Sequence, residues 1–229
     1  MAVILHIESS TTVCSVALSE NGVCLLHKID FQAQSHARLL PLFLQDVSKF
    51  LQEKSLHVDA VAVSSGPGSY TGLRIGVSTA KGLCYGWNVP LVAIDTLKIM
   101  ANAFLEKQKV ENDVLLCPMI DARRMEVYTA FYDTNLSYQR TISADIVEIG
   151  CYNDLLNEKQ ICFFGNGATK CQTILNHPNA SFFEDVYPSA QAMICLAENA
   201  FAEKDFKDIA YFEPFYLKQF IATIPKQKF

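Results

Sequence analysis

The chain has 229 residues, 50% apolar and 19% charged, a composition that builds a core and excludes a disordered polypeptide. Its formal charge of −5 is uneven: residues 1–100 hold 7 basic and 7 acidic side chains, residues 101–229 hold 12 and 17. An acidic chain is a poor stand-alone ligand for phosphate backbones, so service to a nucleic acid requires a partner to hold most of the polymer.

Val3–Ile7 and Cys14–Leu18 predict two strands joined by the polar stretch Glu8-Ser9-Ser10-Thr11-Thr12, and a third, Val23–Ile29, follows the turn Glu20-Asn21-Gly22. Ser35 is placed to cap a helix running toward Gln52, because apolar positions 39, 40, 43, 44, 47, 50 and 51 share one helical face. Pro41 must start that helix late or kink it, and Leu42 lies off the main stripe, which predicts a second apolar face. Asp59–Ser64 reads as a buried strand, 72–86 as a helix after a glycine-rich loop, and Pro90–Ile94 as the next strand. That βαβ unit implies parallel neighbours with a right-handed crossover. A helix is expected over Thr96–Lys107, followed by the charged link Lys107–Asp113.

The second half echoes the first. Ile7-Glu8 and Ala17-Leu18 match Ile120-Asp121 and Ala130-Phe131 at a constant offset of 113. A strand again ends in an acid, turns through Ala122-Arg123-Arg124 and returns as Glu126–Tyr132. Gly66-Pro67-Gly68 is likewise echoed by Gly165-Asn166-Gly167, each after a strand and before an expected helix. These matches predict a duplicated, two-lobed α/β architecture with lobes 1–105 and 106–229 and a junction near residues 100–112. A helix near Ala190–Glu203, the aromatic stretch Tyr211–Lys218 and a loose tail, Gln219–Phe229, complete the expectation.

Gly66-Pro67-Gly68-Ser69-Tyr70-Thr71-Gly72-Leu73-Arg74-Ile75-Gly76 is the strongest local feature. A strand, a glycine-rich turn and a helix N-terminus together offer backbone amides to an anion. No Lys-Ser/Thr follows, so it is not a Walker A loop, and its third glycine comes one residue late for a dinucleotide fingerprint, although Asp95 closes the next strand. Equally, Gly72, Gly76 and Ala80 recur every four residues as a smooth stripe for close packing. Both readings stay open at this point.

Glu8 and Asp121 each end a strand before a polar turn, the placement of paired acids that face a nucleotide cleft in two-lobed phosphotransferase folds. Either alone is more often a turn or cap residue, and Arg123 and Arg124 suit a phosphate, a carboxylate or solvated pairing. The candidate nucleotide or anion contacts are therefore Glu8, Gly66, Gly68, Asp121 and Arg123. The five histidines are never closer than nine residues, so no H-E-x-x-H or helical His pair exists for a metal, and no G-x-S-x-G is present. His6, in a strand, reads as a core or edge histidine. No run reaches the ~20 apolar residues of a membrane span, and Met1–Glu8 lacks the basic head of a signal peptide. Eight cysteines without a C-x-x-C pair read as reduced thiols of a cytoplasmic protein.

The glycine-rich motif resembles the signature of the TsaB (YeaZ) family, the bacterial partner subunits for threonylcarbamoyladenosine synthesis on tRNA. Ile7-Glu8-Ser9-Ser10-Thr11, Asp121–Tyr128, Gly165-Asn166-Gly167 and Pro214–Lys218 fall where that family places its other motifs. One departure is Glu8, where most relatives carry Asp. The resemblance implies an actin/Hsp70-like (ASKHA) fold with a mixed sheet in each lobe. It also implies similarity to the catalytic paralogue TsaD, whose two metal-binding histidines align with about Asp95 and Ile99; an isoleucine cannot ligate a metal.

The implied role is a subunit with no catalytic residues and no metal of its own, which pairs with the TsaD-type transferase and is joined by a TsaE-type ATPase. ATP, Mg and a metal then belong to the partners, tRNA is met only through the complex, and adenosine 37 of tRNAs reading adenine-initial codons is modified. In the family the first two helices of the N-terminal lobe form the pairing surface, which here places Leu39, Leu42, Phe43, Gly72, Ile75, Gly76 and Thr79 at the interface. A neutral first lobe removes like-charge repulsion from that contact, and a homodimer through the same face is expected of the isolated chain. The alternative is an independent ATPase or phosphotransferase using Glu8 and Asp121 around Mg-ATP.

Overall fold

The computed structural model describes residues 2–32, 36–111 and 113–218. Strands β1 (Val3–Glu8), β2 (Cys14–Glu20) and β3 (Val23–Asp30) form an antiparallel meander. Helix α1 (His36–Lys54) leads to β4 (Ala60–Gly66), α2 (Tyr70–Trp87) and β5 (Leu91–Asp95), with β4 parallel to both β1 and β5. The sheet order is β3-β2-β1-β4-β5. After α3 (Thr96–Lys107) the pattern recurs: β6 (Val114–Asp121), β7 (Glu126–Tyr132) and β8 (Tyr138–Ile146) are antiparallel, and β9 (Gln160–Phe164) and β10 (Ala180–Phe183) follow in parallel. Read from β8, the second sheet has the order β8-β7-β6-β9-β10, which is the first sheet strand for strand. This is the duplicated α/β arrangement, with one mixed sheet in each half, that the sequence echo predicts.

Alternation along the strands builds three cores. Val3, Leu5 and Ile7 face α1 and α2, whereas Ile4 faces the space between the sheets. Leu116 and Ile120 of β6 face that same space, and α3 fills it with Met100 and Phe104, whose ring stacks on Phe164 at 4.5 Å. The far face of the second sheet is covered by α4 (Asn153–Glu158) and a 3-10 turn, Thr169–Cys171, over Cys117, Met119 and Phe131. All eight cysteines are unpaired, and burial pushes the thiols of Cys14, Cys84 and Cys162 up to about 11. Among the described residues no helix is long and apolar enough to cross a membrane.

Several expectations need correction. Helix α1 runs through Pro41 rather than starting after it, and forgoes the bond that residue 41 would donate to the Ala37 carbonyl. Its expected cap, Ser35, and the tail Gln219–Phe229 lie outside the described residues. The helix expected after Gly165-Asn166-Gly167 is only the 3-10 turn Thr169–Cys171. The helix expected from Ala190 starts at Ile194 as α5 (Ile194–Ala202). β8, α4 and β10 were not read from the sequence, because β8 and β10 are edge strands of half-exposed side chains with little apolar alternation.

The chain finally returns to the first sheet. The Ala190 amide donates to Ser15 Oγ at 2.8 Å, and α5 packs on β5 and β1. The Lys207 amide donates to the Leu91 carbonyl at 2.8 Å, and the Phe215 amide donates to the Ser65 carbonyl at 2.7 Å. Lys218 then pairs with Glu126 of β7. Residues 207–218 thus run as a strap from the first sheet to the second.

Candidate functional site

The two acid-ended turns predicted at Glu8 and Asp121 are present, and they differ completely in environment. Glu8, at the end of β1, has no solvent exposure. Its Oε1 accepts from the Ser10 amide at 2.6 Å, from Ser10 Oγ at 2.5 Å and from Ser64 Oγ at 3.0 Å, while Oε2 has no partner. Burial without a cation raises the Glu8 pKa, and the hydrogen bonds from Ser10 and Ser64 only partly offset it. His6, two residues earlier, shares a bond with Ser19 Oγ at 2.8 Å, and burial lowers its pKa to about 3; it is the core histidine anticipated.

The β1–β2 turn is sealed against α2. Ser9 Oγ donates to the Gly72 carbonyl at 2.9 Å, the Ser69 amide donates to the Ser10 carbonyl at 2.6 Å, and Ser69 Oγ accepts from the Gly72 amide as the helix cap. A Cβ on Gly72 would stand 2.1 Å from the Ser9 carbonyl oxygen, and one on Gly76 would stand 2.2 Å from Ser9 Oγ. The small-residue stripe is therefore a packing surface within the chain, and Gly72 and Gly76 are corrected from the expected interface: both are buried. Of the expected anion contacts on this lobe, Glu8 is buried, and Gly66 and Gly68 stand against backbone: a Cβ on Gly68 would meet the Ser10 carbonyl at 2.2 Å and one on Gly66 the Phe215 carbonyl at 2.6 Å.

Asp121, by contrast, is exposed at the end of β6. Its Oδ1 accepts from the Arg123 amide at 3.0 Å and from Lys170 Nζ, and its amide donates to Asn166 Oδ1 at 3.0 Å. Lys170 also donates to the carbonyls of Arg124 and Glu126, each at 2.7 Å. Asp121 and Arg123 thus sit together on the second turn, apart from the packed cluster of Glu8, Gly66 and Gly68. Lys170 was missed by sequence reasoning, since no local signal links it to an aspartate 49 residues away.

Asp95 and Ile99, expected from the resemblance to align with a paralogue's metal ligands, have other partners here. Asp95 accepts from Ser65 Oγ at 3.1 Å and from the Tyr138 hydroxyl of the second sheet, while Ile99 lies in the apolar core.

The outer face of α1 and α2 forms an open groove lined by Ala37, Pro41, Arg74, Ile75, Ser78 and Thr79. Next to Pro41 in the chain, Leu42 is 52% exposed, Thr79 is half-buried, and Leu39, Phe43 and Ile75 are half-buried against the first core. Arg74 lies 4.2 Å over the Tyr70 ring and bonds the hydroxyls of Tyr70 and Tyr216, bringing the strap to the groove's edge. Tyr216 and Arg74 were not singled out from the sequence.

The geometry of a sealed first turn and an exposed helical face has known relatives. The family described as "TsaD: tRNA N6-adenosine threonylcarbamoyltransferase" matches residues 30–226. The tRNA threonylcarbamoyladenosine biosynthesis protein TsaB of Haemophilus influenzae is 28% identical over 94% of this chain and 93% of its own. That of Escherichia coli is 28% identical over 96% of each chain. The chain belongs to the TsaB (YeaZ) family. A Pseudomonas aeruginosa crystal structure, of a protein described as similar to peptidase YeaZ, superposes with a TM-score of 0.82 at 26% identity, covering 95% of this chain and all of that one. Membership ties the chain to threonylcarbamoyladenosine biosynthesis, and the TsaB likeness spans both sheets rather than one motif.

Proposed function

We propose that this protein is the non-catalytic subunit that pairs with a TsaD-type transferase and supports formation of threonylcarbamoyladenosine at adenosine 37 of tRNAs reading adenine-initial codons. The observation that carries the reading is the open α1–α2 groove, with Leu42 exposed on α1 and Arg74 held in place by two tyrosines. Apolar contact ringed by an oriented arginine is the make-up of an interface hot spot. Leu39, Leu42, Phe43, Ile75 and Thr79 form the pairing surface. The Ala37 carbonyl, released by Pro41, offers a backbone acceptor beside them.

The burial of Glu8 argues against an independent phosphotransferase working between Glu8 and Asp121. In this reading ATP, Mg and the transferase metal reside on the partners, a TsaE-type ATPase joins the pair, and tRNA is held mainly by the assembly. The isolated chain forms homodimers through the same groove, and the work is done in the cytoplasm.

Light scattering on size-exclusion fractions tests this, with the chain alone and mixed with the TsaD-type paralogue from the same genome. A 1:1 heterodimer is expected, and Leu42→Asp is expected to abolish it with an unchanged circular dichroism spectrum. Absence of any complex, together with ATP hydrolysis by the chain alone, would favour the phosphotransferase instead.

A further inference from the structure

The β6–β7 turn holds two arginines that the pairing surface leaves unused. Arg123 and Arg124 both have left-handed backbone, with φ of +70° and +48°, at adjacent positions where Asn or Gly would sit without steric penalty. The turn is nevertheless braced. The Ala122 amide donates to the Glu126 carbonyl at 3.0 Å, the Glu126 amide to the Arg123 carbonyl at 3.1 Å, and Lys170 gathers Asp121 and two turn carbonyls. These bonds use backbone atoms, Lys170 and Asp121. Among the described residues neither guanidinium donates a hydrogen bond or forms an ion pair, and both side chains are exposed. The arginines are therefore fixed at their Cα atoms, with guanidinium tips that make no hydrogen bond or ion pair among the described residues.

The charge at this turn is net positive. Arg123, Arg124, Lys170 and Lys218 stand against Asp121 and Glu126, and the two lysines are each already paired with one of those acids. The local surplus of two positive charges is thus carried by the two arginines alone, on a chain whose formal total is −5. At the matching turn of the first sheet, Ser9 and Ser10 lie under α2; here only the 3-10 turn Thr169–Cys171 follows, and the tip stays open.

We propose that this turn is a phosphate-recognition tip, at which the guanidinium groups of Arg123 and Arg124 contact backbone phosphates of the RNA held by the assembled complex. The proposal rests on the pairing function above. It follows from the fork geometry of arginine, which matches a phosphate bidentately, and from two exposed arginines side by side on one braced turn, neither of them ion-paired among the described residues. With two contacts at most, the chain alone binds RNA weakly, and the tip registers only once a partner supplies the remaining affinity.

The test uses the heterodimer with the TsaD-type paralogue and an unmodified tRNA reading an adenine-initial codon. Binding is measured between about 50 and 200 mM salt for wild type, for Arg123→Gln/Arg124→Gln and for Arg123→Lys/Arg124→Lys. The Gln pair is expected to lower the slope of log K against log salt by about 1 to 2, since each phosphate contact contributes roughly 0.7 to 0.9. The Lys pair is expected to retain most of the slope. Light scattering on the same samples reports whether the heterodimer is intact. An unchanged slope in an intact heterodimer overturns the proposal while leaving the pairing function standing. Loss of pairing by the Gln pair would assign the arginines to the protein interface and overturn it as well. If wild type forms no heterodimer, the pairing function fails and the proposal falls with it.

Discussion

The chain contains the same turn twice, and the two copies have been put to opposite uses. Both follow an acid-ended strand at the centre of a five-stranded sheet of identical order, and both face a loop with two glycines flanking one residue. In the first copy an 18-residue helix follows that loop, its glycines let it descend onto Ser9 and Ser10, and Glu8 is shut away from water. In the second a three-residue 3-10 turn follows, Lys170 replaces the helix as the brace, and Asp121 remains in solvent. Topology alone therefore does not determine whether such a turn is a site. The length of the following helix and the side chains it can tolerate beneath it decide between packing and display.

The sharpest way to break this contrast is to add one methyl group beneath each loop. Gly72→Ala sets a Cβ against the Ser9 carbonyl at 2.1 Å, with rigid backbone on both sides. We expect it to cost about 3 kcal/mol, at the upper end for overpacking. Gly167→Ala meets backbone atoms of Ile120 and Asp121 at 2.9 to 3.0 Å, and its expected cost is about 1 kcal/mol. Urea denaturation of both variants checks the order; equal losses would mean that the second turn is packed as tightly as the first.

A smaller effect, dependent on pH, comes from the buried acid. Because burial raises the Glu8 pKa above its unfolded value of 4.5, folding favours the protonated form. That contribution is fully present below the unfolded value and is lost as the pH rises through the folded one. Glu8→Gln should therefore gain on wild type as the pH rises above that unfolded value, by up to about 1.4 kcal/mol per pH unit while one proton is linked. His6 acts with the opposite sign, penalising acidification below its unfolded value, but it is common to both proteins and cancels. Paired melts at rising pH test the expectation.

The smallest expected change sharpens the contrast from the other side. Replacing Arg123-Arg124 by Asn-Gly removes left-handed arginines, and should stabilise the fold by about 1 kcal/mol. A thermal melt reads this directly. A loss of stability instead would show that the arginine side chains support the turn.

The duplication was legible in the sequence because both acid-ended strands lie in the core and their apolar residues carry a strong signal. The glycine stripe was legible as a packing device from its spacing, and the structure favours that reading; it was the family resemblance that placed Gly72 and Gly76 on the outer face. A helix has two sides, and on α2 the small residues serve the inner one while Ile75 and Thr79 serve the groove. The burial of Glu8 was illegible, since a polar turn rich in Ser and Thr looks solvated until a helix from 60 residues away covers it. Lys170 and Tyr138 were invisible for the same reason: each acts on a partner distant in sequence.

The strap has a consequence for synthesis as well as for structure. The first sheet is finished at Asp95, yet its edge strand β5 and its glycine loop acquire their covers only from Lys207 and Phe215. On a ribosome adding about 5 to 20 residues per second, the roughly 120 residues between Asp95 and Phe215 take on the order of 6 to 24 s to appear. Throughout that interval the nascent chain carries an open β-edge, the feature by which strands recruit one another wrongly. The chain is thus most exposed to misassembly late in translation, and its last described residues end that exposure.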